Sequence, residues 1–145
     1  MSQPPPSGEA REFPARFRAV ADTAAFALDF CERHGVDRAA AQRVRLVIEE
    51  LFTNSIQHGY RGETDAPVRI ELGLVEGHVT VQYEDSAPRY DPLAQLESLT
   101  ARTVTSLEHA TEGGLGIYLV GKSAYGADYR YEDGHNRLRL VMPRP

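Results

Sequence analysis

The chain has 145 residues, 41% of them hydrophobic, which are the proportions of one ordinary domain with a real core. A formal charge of −5 and the lack of any long basic run argue against nucleic acid or an anionic membrane as the main partner. Cys31 is the only cysteine, which excludes an internal disulfide, and the absence of a long apolar run or of an apolar leader at MSQPPPSGEAR indicates a cytoplasmic protein.

Residues 1–11 are rich in Pro, Ser, Gly and charge, and are expected to form a flexible tail ahead of one domain over 12–145. FPARFRAV alternates Phe13, Ala15, Phe17 and Ala19 with mostly polar neighbours, the pattern of a first strand. Asp22 or Thr23 is placed to cap a helix through AAFALDFCERHG, with Gly35 as its stop. A second helix starts near Asp37, sets Val44, Val47, Ile48, Leu51 and Phe52 on one face, and ends at His58-Gly59. PVRIELGLV and HVTVQYED alternate on either side of Glu76-Gly77, a hairpin signal.

Residues from about 93 to 112 are polar and weakly periodic, a length of irregular chain that is usually functional or mobile. GLGIYLVGKSAYG reads as a short helix, and ADYRYEDGHNRLRLVMP as a second hairpin turning at Asp133-Gly134. The order β-α-α-β-β-loop-α-β-β, with hairpins and grouped helices, predicts an α+β fold. We expect a two-layer sandwich in which helices cover one face of a mixed, mainly antiparallel sheet.

Three places carry chemistry-bearing residues. At 100° per residue, Glu50, Asn54 and His58 form one ridge on the border of the second helix's apolar face. An Asn carbonyl oxygen at the rim of a pocket suits Mg²⁺, and a carboxylate one turn earlier suits an attacking hydroxyl that must be oriented or deprotonated. Polar helix surface is the plainer reading of each. His58 either reaches a phosphate or is a cation favoured near a helix C-terminus. Glu49, four residues after Arg45, is a solvated ion-pair partner. Asp85 closes an apolar alternating run, where it can accept from an adenine amino group or simply shape the turn before Ser-Ala-Pro. Gly113, Gly114 and Gly116 open a helix, where backbone N–H groups attract phosphate and glycines permit a hinge. His34, His78, His109 and His135 show no metal-ligand spacing. Gly116 to Ser123 matches a phosphate-loop pattern formally, but polar sequence precedes it and no helical pattern follows it.

Together, EELFTNSIQHGY, EDSAPRYDP and GGLGIYLV resemble the three boxes of the histidine-kinase-like ATPase superfamily. The N-x-x-x-H-G-Y ending, the D-x-A-P-x-Y-D-P turn and the compact length look like its bacterial anti-sigma-factor serine kinases, over residues from about 12 to 143. The resemblance implies a Bergerat-type ATP-binding fold with ATP and Mg²⁺ as cofactors. It makes Glu50 the general base, Asn54 the Mg²⁺ ligand and Asp85 the adenine contact. It also places His58, Ala87, Gly114, Leu115 and Gly116 around the nucleotide, with a lid at about 93–112. The partners it implies are a sigma factor, a STAS-type anti-sigma-factor antagonist phosphorylated on serine, and often a second copy of the chain. Two departures stand out. Ala87 occupies a position that is commonly glycine in the superfamily, and residues 103–121 contain no Lys or Arg. Arg102, His109, Lys122 or the metal would then face the γ-phosphate. A nucleotide-dependent module that sequesters its partner without phosphotransfer is the alternative. An autophosphorylating histidine kinase is remoter, because no histidine-bearing helix precedes the domain.

Overall fold

A computed structural model of the chain describes residues 8–90 and 126–142. In chain order these form β1 (Glu9–Pro14), α1 (Val20–Arg33), α2 (Arg38–Asn54), β2 (Pro67–Val75), β3 (His78–Asp85), β4 (Gly126–Glu132) and β5 (His135–Val141). The strands make one five-stranded sheet in the order β1-β2-β3-β5-β4. The sheet was expected to be mixed and mainly antiparallel, and every described pairing is antiparallel. The architecture is otherwise the α+β sandwich expected.

The first strand begins at Glu9, inside the stretch expected as tail, and ends at Pro14 rather than near Ala19. Hydrogen bonds explain the shift. Glu9–Pro14 pairs in register with Pro67–Leu72, and polar residues are tolerated because β1 is an edge strand. Beyond Pro14 the chain turns on itself, Arg16 N donating to Pro14 O at 2.7 Å and Ala19 N to Arg16 O at 2.9 Å. That turn leads straight into α1 at Val20, so neither Asp22 nor Thr23 caps it, and Thr23 Oγ1 instead donates to Val20 O at 2.7 Å.

The end of α1 follows its sequence signal. Gly35 takes φ of 70°, Val36 N donates to Cys31 O and Gly35 N to Glu32 O, which closes the helix with the six-to-one and five-to-two bonds of a left-handed cap. Asp37 then caps α2, its carboxylate accepting from Ala40 N at 2.9 Å. Both hairpins turn where expected, with Glu76-Gly77 and Asp133-Gly134 all at positive φ, the two-residue geometry that matches strand twist.

The core lies between the helices and one sheet face. Phe26, Phe30 and Cys31 of α1 join Val44, Val47, Ile48, Leu51 and Phe52 of α2 over Ile70, Leu72, Val81, Leu138 and Leu140. Burial pushes the Cys31 thiol up to about 11 and leaves it as a small apolar residue. Among the described residues, no helix is long and apolar enough to cross a membrane.

Candidate functional site

The helix α2 ends its regular winding at Asn54, and Ser55–Gly59 continue in a wider turn in which Tyr60 N donates to Ser55 O at 2.7 Å. Such π-type turns recur where a helix must re-aim its side chains. Here the widening breaks the ridge expected from uniform 100° steps. Glu50 and Asn54 are 8% and 6% exposed, whereas His58 emerges to solvent beside Arg61 and Arg89. Glu49 makes the surface pair expected with Arg45, at 2.8 Å.

Asn54 Nδ2 is the one buried side-chain polar atom among the described residues that has no hydrogen-bond partner. Leaving a buried amide donor unmet costs about 1–3 kcal/mol, so such an atom marks a place where something else belongs. Rotating the carboxamide by 180° replaces that donor with a carbonyl oxygen, a hard ligand of the kind Mg²⁺ takes. The residue therefore fits the metal the sequence implied, with the Glu50 carboxylate one turn upstream on the same helix.

Asp85, at the end of β3, is 2% exposed. Its Oδ2 accepts from Ser55 Oγ at 2.6 Å, and its Oδ1 from Ala87 N at 3.1 Å and Asn136 Nδ2 at 2.8 Å. Ser55 Oγ also lies 2.6 Å from Tyr83 Oη, which donates to Leu51 O at 3.0 Å. Two hydroxyl hydrogens thus serve three short contacts, and the Tyr83 proton is shared between Leu51 O and Ser55. Burial, with the Asp85 carboxylate adding to it, holds the Tyr83 phenol well above its ordinary 10.0 against the opposing pull of the Ser55 bond. A carboxylate offers about four acceptor positions, and three are taken here.

The turn after Asp85 is pinned to the end of α2. Ser86 N donates to Tyr60 Oη at 2.8 Å, and a Cβ on Gly59 would stand 3.1 Å from the Ala87 methyl. Gly59 therefore makes the room that Ala87 takes. Ala87 is absent from the described non-glycine residues at positive φ, so alanine in place of glycine carries no backbone strain.

Asn136, Ser55 and Tyr83 belong to this constellation and were not singled out from sequence. A signal existed for Asn136, which shares the inward phase of β5 with Leu138 and Leu140 and so sets a carboxamide on an apolar stripe. Gly113, Gly114, Leu115 and Gly116, the expected lid at about 93–112, the short helix after it and the cations Arg102, His109 and Lys122 lie outside the described residues.

A helix with a buried carboxylate and an unmet carboxamide thus stands beside a strand ending in a buried aspartate. The family model described as a histidine kinase-like ATPase domain matches residues 13–142, and the chain belongs to that family. Among curated proteins it is similar to the serine-protein kinase RsbW of Listeria innocua, 24% identical over 77% of this chain and 70% of that one. It is also similar to the serine/threonine-protein kinase BtrW of Bordetella bronchiseptica, 27% identical over 84% of this chain and 87% of that one. Among solved structures the fold matches a chain of the SiaB-SiaC complex from Pseudomonas aeruginosa, with a TM-score of 0.64, 19% identity, and coverage of 92% and 88%. It also matches a structure of RsbU and RsbW domains from Mycobacterium tuberculosis, with a TM-score of 0.60, 14% identity, and coverage of 92% and 32%.

Proposed function

We propose that the protein is a cytoplasmic, Mg²⁺-dependent protein serine kinase that binds ATP at Asn54 and Asp85 and phosphorylates a STAS-type antagonist. By the same reading it also binds the sigma factor which that antagonist releases, and it works as a homodimer. The observation that carries the reading is the unmet amide of buried Asn54, one turn after buried Glu50. ATP with its metal supplies the transferable phosphoryl group. Asn54 holds the metal end of the nucleotide through its carbonyl oxygen, and Asp85 accepts from the amino group of the base. Glu50 accepts the proton of the incoming serine hydroxyl, a role generally worth about 10²–10⁴ in rate. His58, Ala87, Gly114, Leu115 and Gly116 complete the nucleotide's surroundings in this reading. The kinase names of RsbW and BtrW support it at low identity.

The test has two readouts. Mg-ATP at about 100 times its Kd adds roughly 2.7 kcal/mol, which raises Tm by several degrees, and Asn54→Ala abolishes that rise. With radiolabelled ATP and purified STAS-type antagonists, Glu50→Gln keeps the Tm rise and lowers serine labelling at least about 100-fold. Labelling by Glu50→Gln at the wild-type rate would sink the assigned base. A wild type that gains stability from ATP but labels no antagonist is a partner-sequestering module, the reading that the absence of Lys and Arg from 103–121 favours.

A further inference from the structure

We infer that Asn136 is a positioning residue that sets the base specificity of this site, an inference that rests on the ATP reading above. Asn136 is 5% exposed and lies opposite Asp85 across the β3–β5 pairing. Its Nδ2 donates to Asp85 Oδ1 at 2.8 Å and also faces Ala87 O at 3.1 Å and Pro88 O at 3.2 Å. Its Oδ1 accepts from Tyr90 N at 3.0 Å and from Tyr129 Oη at 2.6 Å.

Every position of this carboxamide is committed. Both lone pairs of the oxygen meet a donor, and both hydrogens of the nitrogen meet acceptors. A 180° rotation would set the nitrogen against the Tyr90 N–H and the oxygen against a carboxylate and two carbonyls, so the network selects this orientation. That orientation has a consequence for Asp85. With Oδ1 occupied by Asn136 and Ala87 N, and Oδ2 by Ser55, the open acceptor position is on Oδ2, and only a donor fits it. A base carrying an exocyclic amino group is matched there, and one carrying a carbonyl is repelled.

The same carboxamide ties Asp85 to the turn 87–90 and to β4. The cavity between Leu51, Tyr83, Asp85, Tyr90, Tyr129 and Asn136 is about 10 Å³, room for about one water. Asn136 joins two of the three tyrosines on this wall, Tyr90 and Tyr129, to Asp85. Recognition of the amino group and anchoring of the turn run through one side chain.

The experiment is a ligand and mutation cycle. Kd is measured for ATP and for purine riboside triphosphate, which lacks only the exocyclic amino group, in wild type, Asn136→Ala and Tyr129→Phe. Wild type is expected to prefer ATP by at least about tenfold. Asn136→Ala brings that preference close to one while binding purine riboside triphosphate within about twofold of wild type. Tyr129→Phe, which removes a single hydroxyl and keeps the fold if Asn136→Ala does not, reduces the preference partially. Amide exchange at Tyr90 is faster in Asn136→Ala than in wild type. Equal weakening of both ligands in Asn136→Ala reduces the residue to a structural role and overturns the proposal, as does an unchanged preference in both variants. A wild type that binds neither triphosphate overturns the ATP reading itself, a result distinct from either.

Discussion

Glu84 and Asp85 are neighbours in β3, and the residues opposite them, Arg137 and Asn136, are neighbours in β5, yet the two pairs sit in different solvents. One step along a strand moves a side chain to the other face of the sheet. Glu84 and Arg137 therefore meet on the open face, 2.9 Å apart and with side chains 25% and 44% exposed. Asp85 and Asn136 meet under the helices, almost without exposure and with their polar groups committed to named partners. The open-face pair has water as a standby for either partner. The inner pair has none, and this is why a ligand able to supply a missing partner is felt there and not on the other face.

The largest effect expected from breaking this asymmetry is at Asp85. Asp85→Ala takes the acceptor of Ala87 N and one acceptor each from Ser55 Oγ and Asn136 Nδ2, which keep Tyr83 Oη and the Ala87 and Pro88 carbonyls, and buried hydrogen bonds to a charged group contribute about 1.5–3 kcal/mol each, with overlap among groups so close. We expect a loss of about 3 kcal/mol in urea unfolding, together with loss of ATP-induced stabilisation. Asp85→Asn is the sharper probe. Its amide nitrogen donates to Ser55 Oγ, which lets Ser55 donate to Tyr83 and Tyr83 to Leu51 O, so that three protons serve three contacts. It is expected to unfold within about 1 kcal/mol of wild type. A loss for Asp85→Asn as large as that for Asp85→Ala would show that the charge, not the hydrogen-bond count, holds the network.

Tyr83→Phe is next. The variant loses the bonds to Leu51 O and Ser55 Oγ, about 1 kcal/mol at neutral pH. Its pH dependence has a defined sign. The folded pKa of Tyr83 is raised above the ordinary 10.0, mainly by burial, so the stability it contributes is full below that value. Above it the unfolded phenol ionises first, and wild type loses up to about 1.4 kcal/mol per pH unit that the phenylalanine variant does not. Chemical unfolding at pH 7 and near pH 11 should therefore show the penalty of Tyr83→Phe shrinking or reversing. A constant penalty would mean that the phenol titrates alike in both states.

The same contrast separates what was legible in the sequence from what was not. The strand alternation, the Asp37 cap, Gly35 and both Gly-containing turns act locally, and the sandwich follows from them. Glu50, Asn54 and Asp85, all three buried in the structure, stand out in the sequence because a carboxylate or carboxamide on the edge of an apolar pattern is conspicuous. Ser55 escaped because it belongs to the network only through a π-type turn that uniform helical steps do not foresee. Tyr83 was absorbed into the alternation of β3, where its ring is core and only its hydroxyl reaches Ser55. Asn136 reaches Asp85 and Tyr90 across 51 and 46 positions, which no window of sequence contains. The first strand was misplaced because Phe13 to Ala19 alternates correctly while its hydrogen bonds close a turn.

The smallest effect belongs to the open face, and it is where the contrast is most open to challenge. Arg137 donates to Glu84 at 2.9 Å, and this bond, with the charge beside it, raises the guanidinium pKa, but both side chains keep contact with water. Exposed pairs of this kind contribute about 0.2–1 kcal/mol, because ordering two long side chains offsets much of their attraction. Glu132 stands 3.6 Å from the same guanidinium, so Arg137 retains an acidic neighbour when Glu84 is removed. A double-mutant cycle of Glu84→Gln and Arg137→Gln should give a coupling of about 0.5 kcal/mol or less, falling further in 1 M salt where screening reaches about 3 Å. Nucleotide affinity should not move in any of the four proteins, since the pair faces away from Asp85. A coupling above about 2 kcal/mol, or a change in ATP affinity, would place the open face in communication with the site through the backbone of β3 and β5. The division of the sheet into a solvated face and a functional one would then fail.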